Sequence, residues 1–344
     1  MKRLIPAIRI EKPGSVQHVE MERPEIRPGE ILLQVNRVGY CGSDLSTFRG
    51  GNPLVSYPRI PGHEIGATIL ECAREVPPQF VPGTLATVVP YTACGACTAC
   101  KAGRANACRY NQTLGVQRDG ALAALIAVPW QKVRLAPLDV HELALVEPLS
   151  VGFHAAARGR ISSADTVLVI GCGMIGLGAI ASAALERGAT VIAADVAPAK
   201  LELAKKAGAK HVLDARDSSF HEQLQALTEG HGPHAVIEAV GSVSTYQTAV
   251  EEVCFAGRVV YIGYGKAPVS YETKNFVLKE LDILGSRNAT AEDFDAVIEL
   301  LKTKRYPTAE TITRTVPWAE GADALVRWAE DPAGTTKIHV QVSS

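Results

Sequence analysis

Hydrophobic and polar positions change their pattern near residue 162. Before it, short apolar runs rich in β-branched residues stand between Pro and Gly residues, at 31–38, 65–71 and 84–89. Runs of this length, bounded by turn residues, predict strands, so we expect a mainly β, barrel-like first domain. After residue 162, apolar strands alternate with helical stretches of about 10–15 residues, which predicts βαβ units and a parallel sheet.

The strands of the alternating region are nearly continuously apolar, as strands covered on both faces are. They are predicted at 166–170, 190–195, 211–215, 235–240 and 258–262, with helices at 173–187 and 198–207. After residue 285 the alternation stops, and a helix near 291–304, a strand at 312–316, a helix near 321–330 and a strand at 337–342 are expected to return to the first domain. We therefore predict an α/β, two-domain fold: a β-rich domain at 1–150, a doubly wound parallel sheet at 151–288, and the return at 289–344.

Composition and charge exclude several classes of protein. The 344 residues are enough for about two domains. A formal net charge of −1 offers no basic surface for nucleic acid or an anionic membrane. We expect no transmembrane helix, because no uncharged apolar run of about 18 residues occurs, and no signal peptide, because Pro6, Arg9 and Glu11 interrupt the apolar start. Eight cysteines occur, and without a secretory signal those that are clustered indicate metal ligands in a reducing cytoplasm, whereas Cys72, Cys172 and Cys254 are expected to be buried small residues.

A glycine-rich turn follows the strand predicted at 166–170. The motif Gly171-Cys172-Gly173-Met174-Ile175-Gly176 fits G-x-G-x-x-G and opens a helix, so a dinucleotide's pyrophosphate is expected at the helix start. Asp195 ends the next predicted strand, where a carboxylate accepts hydrogen bonds from the adenosine ribose. The alternative, a chance glycine turn with a surface Asp, does not explain why strand, turn, helix and acid occur in order. The cofactor predicted from this arrangement is NAD.

Four cysteines are clustered in a lobe at 91–109. Cys94, Cys97 and Cys100 are spaced by two residues, and Cys108 follows after seven. The segment has almost no apolar residues of its own, so four thiolates around a tetrahedral Zn²⁺ are expected to fold it. An iron–sulfur site of the ferredoxin kind has a shorter last gap followed by Pro, whereas Arg109 follows here. We predict a structural zinc with no open coordination position.

A second set of candidate ligands is spread along the first domain, at Cys41, in Gly62-His63-Glu64 and at Glu147-Pro148. Together with the glycine turn and the cysteine lobe, these motifs resemble the medium-chain zinc alcohol dehydrogenase family over essentially the whole chain. The resemblance is greatest to its sorbitol, threonine and sugar-acid dehydrogenase branch. It implies a GroES-like catalytic domain, a Rossmann cofactor domain, an active site in the cleft between them, and a homodimer or homotetramer.

The resemblance also implies the role of each residue. Cys41 and His63 would hold a catalytic zinc, with Glu64, Glu147 or both as further ligands. Classical members have a second Cys where Glu147 stands, and this difference points to a polyol or sugar-acid substrate. Ser43 would relay the alcohol proton, and Asp44 would orient the zinc-bound His63. Many relatives have a His where Ser46 stands, so the outer proton route differs.

Residues of the second domain that the family uses for its cofactor complete the set of candidate site residues. They are Lys200, Val240, Gly263, Ser286 and Arg287. The segments 50–53, 56–59 and 285–290 are similar to those of sugar-acid dehydrogenases. Arg287 is expected to bind the cofactor phosphate, a substrate carboxylate or a neighbouring acid, and the sequence leaves these three open.

The expected reaction is hydride transfer from a secondary alcohol of a sugar acid or polyol to NAD, with two zinc ions per chain. An L-galactonate-like acid is the specific expectation; sorbitol- or xylitol-type polyols and L-threonine are alternatives. Two rivals remain. A zinc-free quinone reductase of the same superfamily would lack the ligand set, and a non-catalytic nucleotide-binding regulatory protein would bind nucleotide without turnover.

Overall fold

The computed structural model describes residues 3–265 and 267–343. The chain forms two compact units: the first runs to Glu147 and resumes at Thr308, and the second is Pro148–Pro307. The predicted combination of a β-rich part and a doubly wound parallel sheet is confirmed. Within the described residues, no helix combines the length and the apolar composition that crossing a membrane needs.

The strands and helices follow one another along the chain as follows. The strands are β1 (Leu4–Lys12), β2 (Ser15–Glu22), β3 (Glu30–Tyr40), β4 (Glu64–Cys72), β5 (Leu85–Val88), β6 (Tyr91–Thr92), β7 (Gln112–Thr113), β8 (Leu125–Pro129), β9 (Val133–Leu135), β10 (Thr166–Ile170), β11 (Thr190–Asp195), β12 (His211–Asp214), β13 (Ala235–Glu238), β14 (Arg258–Tyr261), β15 (Asp282–Gly285), β16 (Arg314–Pro317) and β17 (Ile338–Gln341). The helices are α1 (Gly42–Phe48), α2 (Thr98–Lys101), α3 (Val140–Arg158), α4 (Met174–Ala181), α5 (Pro198–Lys206), α6 (Phe220–Leu227), α7 (Val243–Glu252), α8 (Lys274–Leu278), α9 (Ala291–Lys302), α10 (Thr308–Thr311) and α11 (Gly321–Glu330).

A seven-stranded sheet organises the first unit. Its order is β16-β17-β3-β4-β5-β9, and β8 pairs with the other part of β3. Strand β3 is central because its apolar residues are buried along almost its whole length. The returning strand β17 runs antiparallel to β3, with Ile338 opposite Tyr40 and His339 opposite Gly39. On its other side β3 pairs with β4, which places Glu64 opposite Gly39.

A parallel six-stranded sheet organises the second unit. Its order is β12-β11-β10-β13-β14-β15, so the chain direction across the sheet reverses between β10 and β13. Ligands of such sheets bind beside the carboxyl ends of the strands at this reversal. The strands end there at Ile170, Asp195, Glu238 and Tyr261. Strand β15 was not predicted, because its residues are largely exposed and give no continuous apolar run.

Two boundaries differ from those that the sequence predicts. The helix expected at 173–187 is α4 followed by one π-helical turn, Ser182–Glu186. The return to the first unit begins at Thr308 rather than at 289, so α9 belongs to the second unit. Its position there is fixed because Asp293 in its first turn pairs with His154 of α3 at 2.8 Å.

Candidate active site

Cys41 lies at the carboxyl end of β3 and caps the start of α1. Its backbone N–H donates to Asp44 Oδ2 at 2.9 Å, and the N–H of Gly62 donates to Asp44 Oδ1 at 3.4 Å. One buried carboxylate therefore ties the backbone of the Cys41 segment to the backbone that precedes His63.

Both carboxylate oxygens of Asp44 accept backbone N–H groups, and His63 Nδ1 is a buried nitrogen with no hydrogen-bond partner among the described residues. Asp44 thus orients the two ligand segments through their main chains, and its charge helps to raise the pKa of His63. The role expected of Asp44 in orienting a zinc-bound His63 stays a prediction.

Glu64 begins β4 directly after His63, and both side chains are buried. A glycine is required opposite it, because a Cβ on Gly39 would lie 2.0 Å from Glu64 Oε2. The carboxylate therefore occupies the space over β3 that any larger residue at position 39 would fill. This pairing brings Glu64 close to Cys41, at the end of β3.

Cys41, His63 and Glu64 form a mixed set of metal-binding atoms. One ligand atom from each lies within 4.8 Å of the others. Burial alone lowers the pKa of His63, but the charges of Cys41, Asp44 and Glu147 raise it well above its ordinary value. The site therefore has an excess of negative charge that stabilises a cation, and thiolate, imidazole and carboxylate are the donors that zinc prefers. The residues present fit a bound Zn²⁺.

Lys337 approaches the same site from the segment just before β17. Its ammonium donates to both oxygens of Glu64 at 2.5 Å and to the carbonyl oxygen of Tyr40 at 3.0 Å. Both charged side chains are essentially inaccessible to solvent. Burial by itself lowers the pKa of Lys337, but Glu64 and Cys41 raise it above its ordinary value. Lys337 is thus the buried counter-ion of Glu64.

Glu147 lies within α3 at the end of the first unit and is buried. The hydroxyl of Tyr91, on β6, donates to Glu147 Oε1. Burial and the Glu147 charge raise the pKa of Tyr91 well above its ordinary value, so its hydroxyl remains a donor. Glu147 also contributes to the charge around His63, although it lies outside the group whose ligand atoms approach within 4.8 Å.

The hydroxyl of Ser43 is placed by the same turn that positions Cys41. Ser43 is in the first turn of α1, and its Oγ is a buried atom with no hydrogen-bond partner among the described residues. A buried hydroxyl ordinarily has a partner. Its position two residues after a zinc ligand fits a group that bonds to a molecule bound at the site.

The four cysteines of the lobe converge on one point. The Sγ atoms of Cys97 and Cys100 lie 3.5 Å apart, those of Cys97 and Cys108 3.8 Å, and those of Cys94 and Cys108 3.5 Å. A tetrahedron with Zn–S bonds of about 2.3 Å has edges of about 3.8 Å, whereas a disulfide needs about 2.05 Å. Backbone N–H groups of Cys100 and Arg109 lower the pKa of Cys97 to about 6, which favours the thiolate form that a metal requires.

The glycine turn of the second unit has the form that a pyrophosphate requires. Gly171 has φ +95°, and a Cβ on Gly176 would lie 1.8 Å from the Gly171 carbonyl oxygen, so α4 packs tightly on β10. Gly173 caps α4, and a Cβ there would meet nothing within 4 Å. The open side of Gly173 and the first turn of α4, with Met174 and Ile175, form a cradle at a helix start that fits an anionic ligand.

Asp195 ends β11 beside this cradle. Its Oδ2 accepts the N–H of Cys172 at 2.7 Å, and its Oδ1 accepts the N–H of Ala197 at 2.9 Å. Each carboxylate oxygen has a second lone pair, so both remain able to accept a hydroxyl. Lys200 is half-buried in α5, in the same part of the unit.

The remaining predicted cofactor residues lie on three turns of the second unit. Val240 follows β13 and lines a pocket of about 320 Å³, while Gly263 follows β14. Ser286 and the partly buried Arg287 follow β15, where the Ser286 N–H donates to the Tyr261 carbonyl oxygen at 2.9 Å. The Ser286 hydroxyl is a further buried atom with no hydrogen-bond partner among the described residues.

Sequence reasoning missed Tyr91 and Lys337. Tyr91 gives no local signal, since one tyrosine beside a cysteine-rich segment is unremarkable. Lys337 gives a weak one, because a cation stands directly before the apolar residues of β17.

Comparisons with known proteins show which families the two parts of the chain match. Residues 27–138 match the alcohol dehydrogenase GroES-like domain family, and residues 175–303 match the zinc-binding dehydrogenase family. Among curated proteins, the chain is 34% identical to L-galactonate-5-dehydrogenase of Escherichia coli K12 over 318 residues, which cover 92% of this chain and 93% of that protein. It is also 34% identical to sorbitol dehydrogenase of Bacillus subtilis over 311 residues, covering 88% of each.

Two solved structures extend the comparison to the fold. The alcohol dehydrogenase RspB of Escherichia coli CFT073, complexed with NADH, has a TM-score of 0.90 at 30% identity and matches 98% of this chain and 99% of its own. A zinc-binding dehydrogenase of Sinorhizobium meliloti 1021, bound to NADP, has a TM-score of 0.90 at 29% identity and matches 99% and 100%. The two neighbours thus bind different nicotinamide cofactors.

Proposed function

The chain belongs to the zinc-type medium-chain alcohol dehydrogenase family of oxidoreductases, and from this premise we propose that it oxidises a secondary alcohol of a sugar acid or polyol, with NAD as hydride acceptor. The observation that carries the proposal is the cluster of half-buried Cys41 with buried His63 and Glu64, with Glu147 beside it. A site rich in carboxylates suits a substrate with several hydroxyls better than an aliphatic alcohol. An L-galactonate-like acid is the specific candidate.

Cys41 and His63 would hold the catalytic zinc, and Glu64 and Glu147 supply the remaining or exchanging carboxylate ligand. When bound, such an ion supplies a Lewis acid that lowers the pKa of a coordinated alcohol. Burial raises the pKa of Glu64 to about 7, and the ammonium of Lys337 acts against this shift. Tyr91 fixes one oxygen of Glu147, so the two carboxylates have different partners. Metal analysis of Glu64→Gln and Glu147→Gln proteins would show which carboxylate binds the zinc, because loss of the ligand weakens zinc binding more than loss of the other carboxylate.

Ser43 would relay the alcohol proton: its buried Oγ, which bonds to no described residue, would accept that proton while its own hydroxyl proton passes on toward solvent. The family's outer relay residue is replaced by Ser46, so the proton leaves the site by a route that does not use a histidine at that position. A Ser43→Ala protein should lose turnover while keeping its zinc content and its affinity for NADH.

NAD rather than NADP is proposed because of Asp195. A carboxylate that accepts ribose hydroxyls repels a 2′-phosphate, and the following residues, Val196 and Ala197, provide no cation. A preference of about 100-fold requires only ~2.7 kcal/mol. The test is kcat/KM for both cofactors with one good substrate, repeated on Asp195→Ala. The wild type should have the higher kcat/KM with NAD. The Asp195→Ala variant should lose most of this preference because its kcat/KM with NADP rises. Equal kcat/KM values for the two cofactors in the wild type would show that Asp195 does not face the ribose.

Formation of NADH at 340 nm with a panel of sugar acids, polyols, L-threonine and ethanol tests the substrate class. A higher kcat/KM for ethanol than for every sugar acid and polyol contradicts the proposal. Highest activity on sorbitol, xylitol or threonine selects the corresponding alternative within the family. Binding of NADH without turnover of any alcohol would instead support the regulatory, nucleotide-binding alternative.

We also propose that the chain acts as a homodimer or homotetramer in the cytoplasm, without nucleic acid or membrane as partner. The support is a set of exposed apolar side chains around the edge strand β15, formed by Phe255, Val277, Leu278 and Ile283. Exposed apolar patches and open sheet edges mark association surfaces. Light scattering after size-exclusion chromatography measures the mass, and a monomer at micromolar concentration would contradict the proposal.

A further inference from the structure

Glu238 is a fully buried carboxylate to which neither the sequence motifs nor the proposed chemistry assigns a role. It is the last residue of β13, at the carboxyl edge of the sheet and beside the reversal of strand order. Its Oε1 accepts hydrogen bonds from the N–H of Val240 at 2.9 Å, from the N–H of Gly241 at 2.7 Å and from the hydroxyl of Thr245 at 2.8 Å. One oxygen thus holds both the turn after β13 and the first turn of α7.

The same residue also holds the turn after the neighbouring strand β14. The backbone carbonyl of Glu238 accepts the N–H groups of Ile262 at 2.9 Å and Gly263 at 3.1 Å. The two turns are in van der Waals contact through glycines, since a Cβ on Gly263 would lie 2.2 Å from Gly241 N and 2.7 Å from Glu238 Oε2. Oε2 itself has no hydrogen-bond partner among the described residues. The carboxylate therefore braces two turns whose backbones touch.

These two turns form the walls of the pocket described above. It is lined by residues 240–243 on one side and by Tyr264, Gly265 and Ala267 on the other. Because Asp195 places the adenosine end of a dinucleotide over β11, the other end extends past the strand reversal, over β13 and β14. This pocket is therefore on the nicotinamide side of the cofactor site.

We propose that Glu238 is a positioning residue, which shapes the nicotinamide side of the cofactor site by fixing the turns after β13 and β14 without touching the cofactor. The inference rests on the proposed nicotinamide-linked function. It requires that loss of the carboxylate loosen one half of the site and leave the adenosine half intact. Backbone N–H groups that donate to a weaker acceptor no longer hold the turns in one conformation.

The test compares two ligands on Glu238→Gln, which keeps the shape and removes the charge. Titration calorimetry with NADH and with ADP-ribose, which lacks nicotinamide, should show NADH weakened about 10-fold and ADP-ribose less than about 2-fold. KM for the cofactor should rise more than kcat falls. Asp195→Ala, which acts on the adenosine side, should weaken both ligands.

The matched control is Asp165→Asn. Asp165 is a buried carboxylate at the opposite, amino edge of the same sheet, where it accepts the N–H and hydroxyl of Ser162 and pairs with Arg258. Its loss should lower the melting temperature without changing the affinity for either ligand. A Glu238→Gln protein that melts earlier but binds NADH like the wild type would overturn the inference, and so would equal loss of NADH and ADP-ribose.

A second variant covers the case in which Glu238→Gln does not fold. Thr245→Val removes one of the three donors to Oε1 and should weaken NADH alone, by about 2- to 4-fold. Unchanged NADH affinity in this variant contradicts the inference. A wild-type protein that binds neither NADH nor NADPH would instead refute the proposed function, so the two failures are distinct.

Discussion

The two cysteine-containing clusters of the first unit are built in opposite ways. The lobe takes four identical ligands from one segment, 94–108, and Cys94 within it is exposed. The Cys41 cluster takes three different ligands from the ends of β3 and β4, of which His63 and Glu64 are buried and Cys41 is half-buried. Lys337, from the far end of the chain, is the counter-ion of Glu64. A zinc bound in the lobe would take the place of an apolar core, whereas at the other cluster the surrounding core positions the candidate zinc ligands.

The difference between the two clusters determines which of them could bind a substrate. Four protein thiolates complete a tetrahedron and leave no position for substrate. A thiolate, an imidazole and one carboxylate would fill only three positions of such an ion, so the fourth would be open to a substrate.

The largest effect is expected for His63→Ala. Loss of the imidazole should reduce turnover by about 1000-fold or more, because the open metal site is lost. The protein should keep the lobe zinc and its NADH affinity. Steady-state rates, metal analysis and NADH titration measure this, with the exposed His231→Ala as control. Near-native activity of His63→Ala would overturn the assignment.

Lys337→Met should destabilise the first unit by about 3–5 kcal/mol, because it leaves Glu64 buried without its counter-ion. All three tryptophans, Trp130, Trp318 and Trp328, lie in this unit, so their fluorescence during urea denaturation reports its unfolding. The double variant with Glu64→Gln should recover part of the loss. A single variant as stable as the wild type would mean that the pair contributes nothing.

Cys97→Ser should remove the lobe zinc, lower stability by about 1–3 kcal/mol and reduce activity only modestly. The smaller cost follows because the lobe contributes little to the buried core. Cys254→Ser, which removes a half-buried cysteine of the second unit, should leave the metal content unchanged. Unchanged zinc in Cys97→Ser would refute the structural site.

The smallest effect is expected for Tyr91→Phe, which removes the hydroxyl that donates to Glu147. We expect kcat/KM to fall about 10-fold, or ~1.4 kcal/mol, with zinc content retained. Tyr110→Phe, on the exposed side of the lobe, is the control and should behave as the wild type. Equal effects of the two substitutions would show that the Tyr91 contact is not used.

The sequence predicts those parts of the fold whose signal is local. The interiors of strands β10 and β11 are apolar and buried, as strands covered on both faces are. The glycine turn and Asp195 were predicted because a pyrophosphate requires such a turn and a ribose such an acceptor. The cysteine spacing likewise predicts the lobe, because its ligands lie on one short segment.

Contacts between residues that are far apart in the sequence cannot be predicted from local patterns. The pairing of Lys337 with Glu64 depends on the register of β17 against β3, which no local pattern encodes. The same holds for Tyr91 with Glu147 and for α9, whose place in the second unit depends on His154 and Asp293. Asp44 was identified, but its partners are main-chain groups that only the folded backbone brings together.

The position of Tyr91 has a consequence for how the protein matures. Tyr91 pairs with Thr113 across β6 and β7, so the lobe closes between two strands that bracket it in sequence. These residues precede residue 147 in the chain, so the lobe and its two bracketing strands are synthesised before Glu147. Disorder in the lobe would reach the Glu147 carboxylate through one tyrosine, which is a smaller disturbance than the loss of a ligand beside His63.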